Sequence, residues 1–275
     1  MCVIYACGTS LPPEDELQRG SETNTDGAGL AWRKEGTTPR ILWKKGFKDH
    51  EEVLAFIKAQ KIPFPLAIHF RSASVGGVWK ELCHPFPLGK GSPTWLEGEA
   101  EEVLFHNGHL SDWEKLVLAA GLPSKEKIPT GAWSDSRALA WLTYLKGEGI
   151  LPFVVNGSRV LLFHATPSTA EDEVYEAADD HFSFYGTWIN HPKEGWSQSI
   201  NTIERMARRA SYACYRGGTW TDGEWEMEPS PAAITSGPTR VEVSQAPNIW
   251  TVAELTKILA DLESEQNHAK LAAGI

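Results

Sequence analysis

Residues 2–7, Cys-Val-Ile-Tyr-Ala-Cys, form an unbroken apolar run at the very start of the chain. A run of that length with no polar alternation is a fully buried strand, so whatever core this chain builds must run through residues 2–7. The strand also opens on a nucleophile. A methionine followed by a small residue is trimmed in the cytoplasm, which would leave Cys2 with a thiol and a free α-amine on one carbon. A thiol is a weak nucleophile until a base takes its proton, and an N-terminal amine can be that base. The reference pKa of such an amine, about 7.7–8.0, lies close to working pH, where general-base catalysis is most effective. A cysteine near the start of a buried strand also serves as a small core hydrophobe, so the rest of the chain has to decide between the two.

Composition narrows the classes. With 41% hydrophobic and 23% charged residues over 275 positions, the chain fits a globular protein with a sizeable core, as one large domain or two small ones. Net charge is -10 and no basic cluster stands out. That argues against direct nucleic-acid binding, which needs a cationic footprint. No stretch approaches the length of a membrane span, and no signal peptide precedes Cys2, so a cytoplasmic protein without membrane contact is expected. Cys2, Cys7, Cys83 and Cys214 show neither a CxxC nor a disulfide framework, and the nine histidines have no zinc-like spacing. Neither metal nor cofactor is expected.

The chain reads as strand-rich with several helices. Residues 29–34 and 40–45 alternate around a Glu-Gly-Thr-Thr-Pro loop and form a hairpin. Residues 50–60 have helical periodicity, while 65–71 and 102–106 are apolar strands ending at polar residues. Ser111-Asp112-Trp113-Glu114 reads as a capping box opening a helix to about Ala120, and Ser134 caps a helix from Asp135 to about Lys146. Residues 159–164 and 182–189 return to strand, and Ser199 to about Arg209 reads as helix. Residues 1–227 are expected to form one domain, 228–250 a linker or loop, and 251–275 a helical segment opened by a second capping box at Thr251-Val252-Ala253-Glu254. Such a mixture is layered α+β architecture.

Four polar clusters sit at the ends of predicted strands. Asn24-Thr25-Asp26-Gly27-Ala28-Gly29 precedes one, and alone it is a glycine-rich turn. His69-Phe70-Arg71-Ser72-Ala73-Ser74-Val75-Gly76 ends another; Arg71 is a surface charge there unless it lines a pocket, where its fork suits a carboxylate. His106-Asn107-Gly108 contains the commonest hairpin dipeptide, yet the Asn107 amide and the adjacent backbone N–H can also be two donors for an oxyanion. Ser134-Asp135-Ser136 caps a helix, and in a site it offers a carboxylate to a ligand ammonium.

In this order and behind Cys2, the clusters resemble the class II glutamine amidotransferase family, whose catalytic domain is an N-terminal-nucleophile (Ntn) hydrolase. The pattern of that family is an N-terminal Cys, then D-[GS]-x-G, H-x-R-x-[AS]-[ST], H-N-G and S-D-[ST]; here these are Cys2, Asp26 to Gly29, His69 to Ser74, His106 to Gly108 and Ser134 to Ser136. The resemblance spans residues 2–210 and implies a four-layer αββα sandwich. It implies glutaminase chemistry: Cys2 attacks the side-chain amide of L-glutamine, its α-amine moves the proton, Asn107 and the Gly108 N–H hold the oxyanion, and water hydrolyses the thioester. Arg71 would hold the α-carboxylate, Asp135 the α-ammonium, Ser74 would add a hydrogen bond, and His69 and His106 would support the motifs.

Two departures from the family stand out. Sugar-phosphate synthases of the family carry His where this chain has Val75. The long members continue into a synthase domain, whereas only about 65 residues follow position 210 here. The chain thus resembles the short stand-alone members of bacteria and bacteriophages, with the ammonia acceptor expected to be a separate synthase chain. The alternatives are another Ntn amidohydrolase, or an Ntn-fold protein that binds or builds without catalysing.

Overall fold

The computed structural model describes residues 2–121, 127–154, 157–166, 181–186, 188–189, 195–199, 219–221 and 224–226. In chain order the elements are β1 (Val3–Cys7), α1 (Glu14–Thr23), β2 (Ala28–Lys34), β3 (Arg40–Phe47), α2 (His50–Gln60), β4 (Leu66–Phe70), β5 (Phe86–Pro87), β6 (Glu97–Ala100), β7 (Glu102–Asn107), α3 (Trp113–Gly121), α4 (Asp135–Lys146), α5 (Leu151–Val154), β8 (Arg159–His164), β9 (Phe182–Tyr185), β10 (Trp188–Ile189), β11 (Trp196–Ser199), β12 (Thr219–Thr221) and β13 (Glu224–Glu226). One sheet runs β10-β11-β1-β4-β2-β3-β6 and a second β5-β7-β8-β9, while β12 and β13 pair with each other. Every described pairing is antiparallel.

Strand parity sorts the core into three slabs. Odd residues of β1 (Val3, Tyr5, Cys7) join Leu30, Ile68 and Phe70 under α1 and α2. Even residues Ile4 and Ala6 join Ala67, Val103, Phe105, Leu161 and Phe163 between the two sheets. The other face of the second sheet, Leu104, Val160 and Leu162, packs on Leu116 and Val117 of α3 and on Leu139 and Leu142 of α4. Successive strand residues point to opposite faces, so these slabs define helix, sheet, sheet, helix. The fold is α+β, and the αββα layering expected from the sequence is what the core builds.

The apolar run is β1, buried throughout and flanked by β11 and β4. Residues 29–34 and 40–45 pair as the expected hairpin. The helix over 50–60 starts where Asp49 accepts the Glu52 N–H and ends at Lys61 in the left-handed region. Ser134 caps α4 by accepting the Arg137 N–H at 3.1 Å.

Some expectations differ. The sequence gives no sign of α1 beyond three acids in its first turn, because Leu17 is the only large apolar residue it buries; small residues bring it close, and a Cβ on Gly20 would lie 2.5 Å from Tyr5 Oη. The Ser111 capping box does not open α3, since Asp112 has φ 57° and the helix begins at Trp113. Residues 182–189 are two strands in different sheets, divided at Gly186 with φ 89°. Ser199 ends a strand rather than starting a helix. The remainder of that expected helix, the 228–250 linker and the 251–275 helical segment lie outside the described residues. Among the described residues, no helix is long and apolar enough to cross a membrane, and no group of three or more His, Cys, Asp or Glu side chains is placed to hold a metal ion.

Candidate functional site

The site forms where β1 begins, β4 and β7 end and α4 starts. Pairing of Val3 with Phe70 sets Cys2 beside the segment that leaves β4. Cys2 Sγ lies 3.5 Å from both the Ser72 carbonyl oxygen and the Ser72 nitrogen. A thiol there donates to the carbonyl, and a thiolate accepts the N–H, so one backbone unit serves both protonation states. Burial pushes the Cys2 thiol up; the Ser72 N–H and Arg71 pull it down, and Asp135 adds to the rise.

The 71–77 segment is held by the first polar cluster. Asp26 Oδ2 accepts the Ala73 N–H at 2.7 Å, and backbone bonds join Asp26 N to Arg71 O and Arg71 N to Gly27 O. Arg71 is 3% exposed. Its Nη2 donates to Gly77 O at 2.8 Å and to Val75 O at 3.3 Å, while Nη1 is buried with no partner. A guanidinium that keeps one arm on its own loop and leaves the other unpaired in a dry site has an unmet need for an acceptor, best an anion.

Asp135 supplies the opposite charge. Its Oδ1 accepts the Ser136 N–H at 2.9 Å and its Oδ2 the Leu110 N–H at 3.1 Å, with the exposed His109 Nδ1 3.6 Å away. Two backbone donors leave lone pairs free on a carboxylate that can accept about four bonds. The charges of Arg71 and Asp135 both reach the Cys2 thiol. Gly76 closes the gap between their elements: with φ 84°, its Cβ would lie 2.4 Å from Trp133 O and 3.1 Å from Ser134 Cβ. Gly76→Ala should therefore cost about 1–3 kcal/mol of stability. Denaturant titration checks this, and an unchanged midpoint would mean that the close approach of the two elements is not needed for the fold.

On the facing sheet, His106 points toward α4, its Nδ1 2.9 Å from Ser136 Oγ and its Nε2 buried without a partner. Burial pushes it down to about 4, with Asp135 opposing and His109 assisting. Asn107 points the other way, between the sheets, and its Nδ2 donates to Ser199 Oγ at 2.9 Å. Gly108 follows at the exposed strand end, where a Cβ would lie 2.1 Å from Ser158 Oγ. Under the site, the rings of His69 and His84 lie against each other, tilted at 42° with centroids 4.0 Å apart, and all four of their nitrogens are buried without partners. Burial pushes His69 down to about 3 and His84 well below its ordinary value.

The structure thus gathers Cys2, Arg71 and Asp135, with His106 behind Asp135 and Asn107 across from β1. It leaves Ser74 exposed on the loop, apart from the buried side chains. Sequence reasoning missed Ser199 and the inward-facing His84.

No protein-family model matches the chain, and no curated protein does. Solved structures do. One of them, a glutamine aminotransferase class-II domain protein from Silicibacter pomeroyi, is 16% identical over 72% of this chain and 87% of its own, with a TM-score of 0.37.

Proposed function

We propose that this chain is a class II glutamine amidotransferase, hydrolysing the side-chain amide of free L-glutamine to glutamate and ammonia. The observation that carries the reading is a thiol flanked by two buried opposite charges, Arg71 with an unpaired Nη1 and Asp135 with lone pairs to spare. An α-amino acid carries the complementary pair. Its carboxylate meets the Arg71 fork and its ammonium meets Asp135, which lays the side-chain amide toward Cys2. With Met1 removed, the Cys2 amine takes the thiol proton and the thiolate attacks the amide carbon. The oxyanion is held by the second Nδ2 proton of Asn107 and by the Gly108 N–H. The amine returns the proton to the leaving nitrogen, ammonia departs, and water attacks the thioester to release glutamate. The ammonia is consumed by a separate acceptor synthase.

Substrate blocking tests the clamp. Glutamate release should occur from glutamine, and drop by at least about a hundredfold for N-acetylglutamine. Arg71→Lys keeps the charge but loses the fork, so it should raise KM by about tenfold or more. Equal turnover of blocked and free glutamine would move the chain to another amidohydrolase activity.

A further inference from the structure

Ser199 is fully buried and joins two parts of the site that are distant in sequence. Its Oγ accepts the Ile4 N–H at 2.9 Å and the Asn107 Nδ2 proton at 2.9 Å. We infer that Ser199 is the positioning residue for the Asn107 amide, anchoring its nitrogen so that the second N–H is held at the site; this rests on the glutaminase reading above.

The terminal torsion of asparagine is broad and roughly two-fold, and its oxygen and nitrogen ends have nearly the same shape. An oxyanion needs a donor, so an asparagine that presents its carbonyl there is inhibitory. One lone pair of Ser199 Oγ is occupied by the Ile4 N–H and the other takes one Nδ2 proton, so the hydroxyl's own proton points away from the amide. The second proton of the same nitrogen stays unspent. Cys2 precedes β1 directly and lies two residues before Ile4, so the bridge also registers the donor against the nucleophile. Asn107 belongs to the other sheet, and Ser199 ties the two sheets at this level. An alternative role, satisfying the Ile4 N–H alone, would stabilise the fold without touching turnover.

The test is a double-mutant cycle on glutamine hydrolysis. Ser199→Ala should lower kcat by about tenfold or more with KM changed less than about threefold. In an Asn107→Ala background the same change should cost less than about threefold, because the group it positions is gone. Iodoacetamide should alkylate Cys2 of Ser199→Ala at the wild-type rate, since the nucleophile is untouched. Ser199→Thr keeps the oxygen and Ser199→Val keeps the volume of threonine without it, so the Thr/Val pair gives the same comparison if the alanine variant does not fold. Thr should restore turnover and Val should not. A kcat equal to wild type in Ser199→Ala or Ser199→Val, or full additivity with Asn107→Ala, overturns the inference and leaves the glutaminase reading standing. A wild-type chain lacking Met1 that releases no glutamate overturns both.

Discussion

Cys2→Ala should reduce glutamate release by at least about 10³-fold, the scale expected when the only covalent nucleophile is removed. Glutamine should still bind the variant, because Arg71 and Asp135 are untouched; calorimetric titration would read that directly. The base can be argued from what surrounds the thiol. Burial pushes the thiol up, so it needs an acceptor for its proton. His69 is held down to about 3 and His106 to about 4, too weakly basic to take it. Asp135 already accepts the Leu110 and Ser136 N–H groups, and its remaining lone pairs are taken by the substrate ammonium. The α-amine of Cys2 itself, with a reference pKa of about 7.7–8.0, is the group matched to the task. The acid limb of kcat/KM should therefore fall near pH 8, and intact mass of active protein should lack Met1. Full activity with Met1 retained, or in Cys2→Ala, would remove this mechanism.

Much of the fold was readable because local patterns and tertiary demands agree. The 2–7 run, the hairpin over 29–34 and 40–45, and the capped helices at 50–60 and 135–146 each carry a period or a cap. The missed elements lack one. α1 buries a single large apolar residue, and β6 reads Glu-Gly-Glu-Ala, held at the sheet edge by its ladder with β3. Ser199 looks like a helix start because serine is a good cap, but antiparallel pairing with Trp188 of β10 claims it for β11.

The site divides along the same line. The four polar clusters are short and contiguous, so they could be picked out; that they converge depends on pairings such as Val3 with Phe70, which no local window contains. Ser199 is separated from Asn107 by 92 positions and from Ile4 by 195, and has no motif around it. His84 likewise sits in no recognisable pattern, yet its buried ring lies against that of His69.

Those histidines should make the protein acid-labile well above the range where carboxylates titrate. His69 and His106 are held down to about 3 and about 4, chiefly by burial, and His84 well below its ordinary value by burial, then by His69, His106, Arg71 and Lys45. The fold keeps all three neutral while the unfolded chain protonates them below about pH 6.5. The unfolded state then binds more protons, so stability falls as pH drops through 6.5 toward the folded values. Each neutral histidine contributes a slope of about 1.4 kcal/mol per pH unit, so the three together approach ~4 kcal/mol per unit. By pH 5 that amounts to about 6 kcal/mol, a large share of a total stability of about 5–15 kcal/mol. Lys45, pushed down to about 7 by burial, adds a smaller fall of the same sign between pH 7.5 and about 6.5 and nothing below that, where it is protonated in both states. Urea midpoints between pH 7.5 and 5 should therefore fall steeply. His84→Met, which removes one of the three at similar volume, should flatten the slope by about one proton. Equal midpoints at pH 7.5 and 5 would mean that these imidazoles are charged or hydrated in the folded protein.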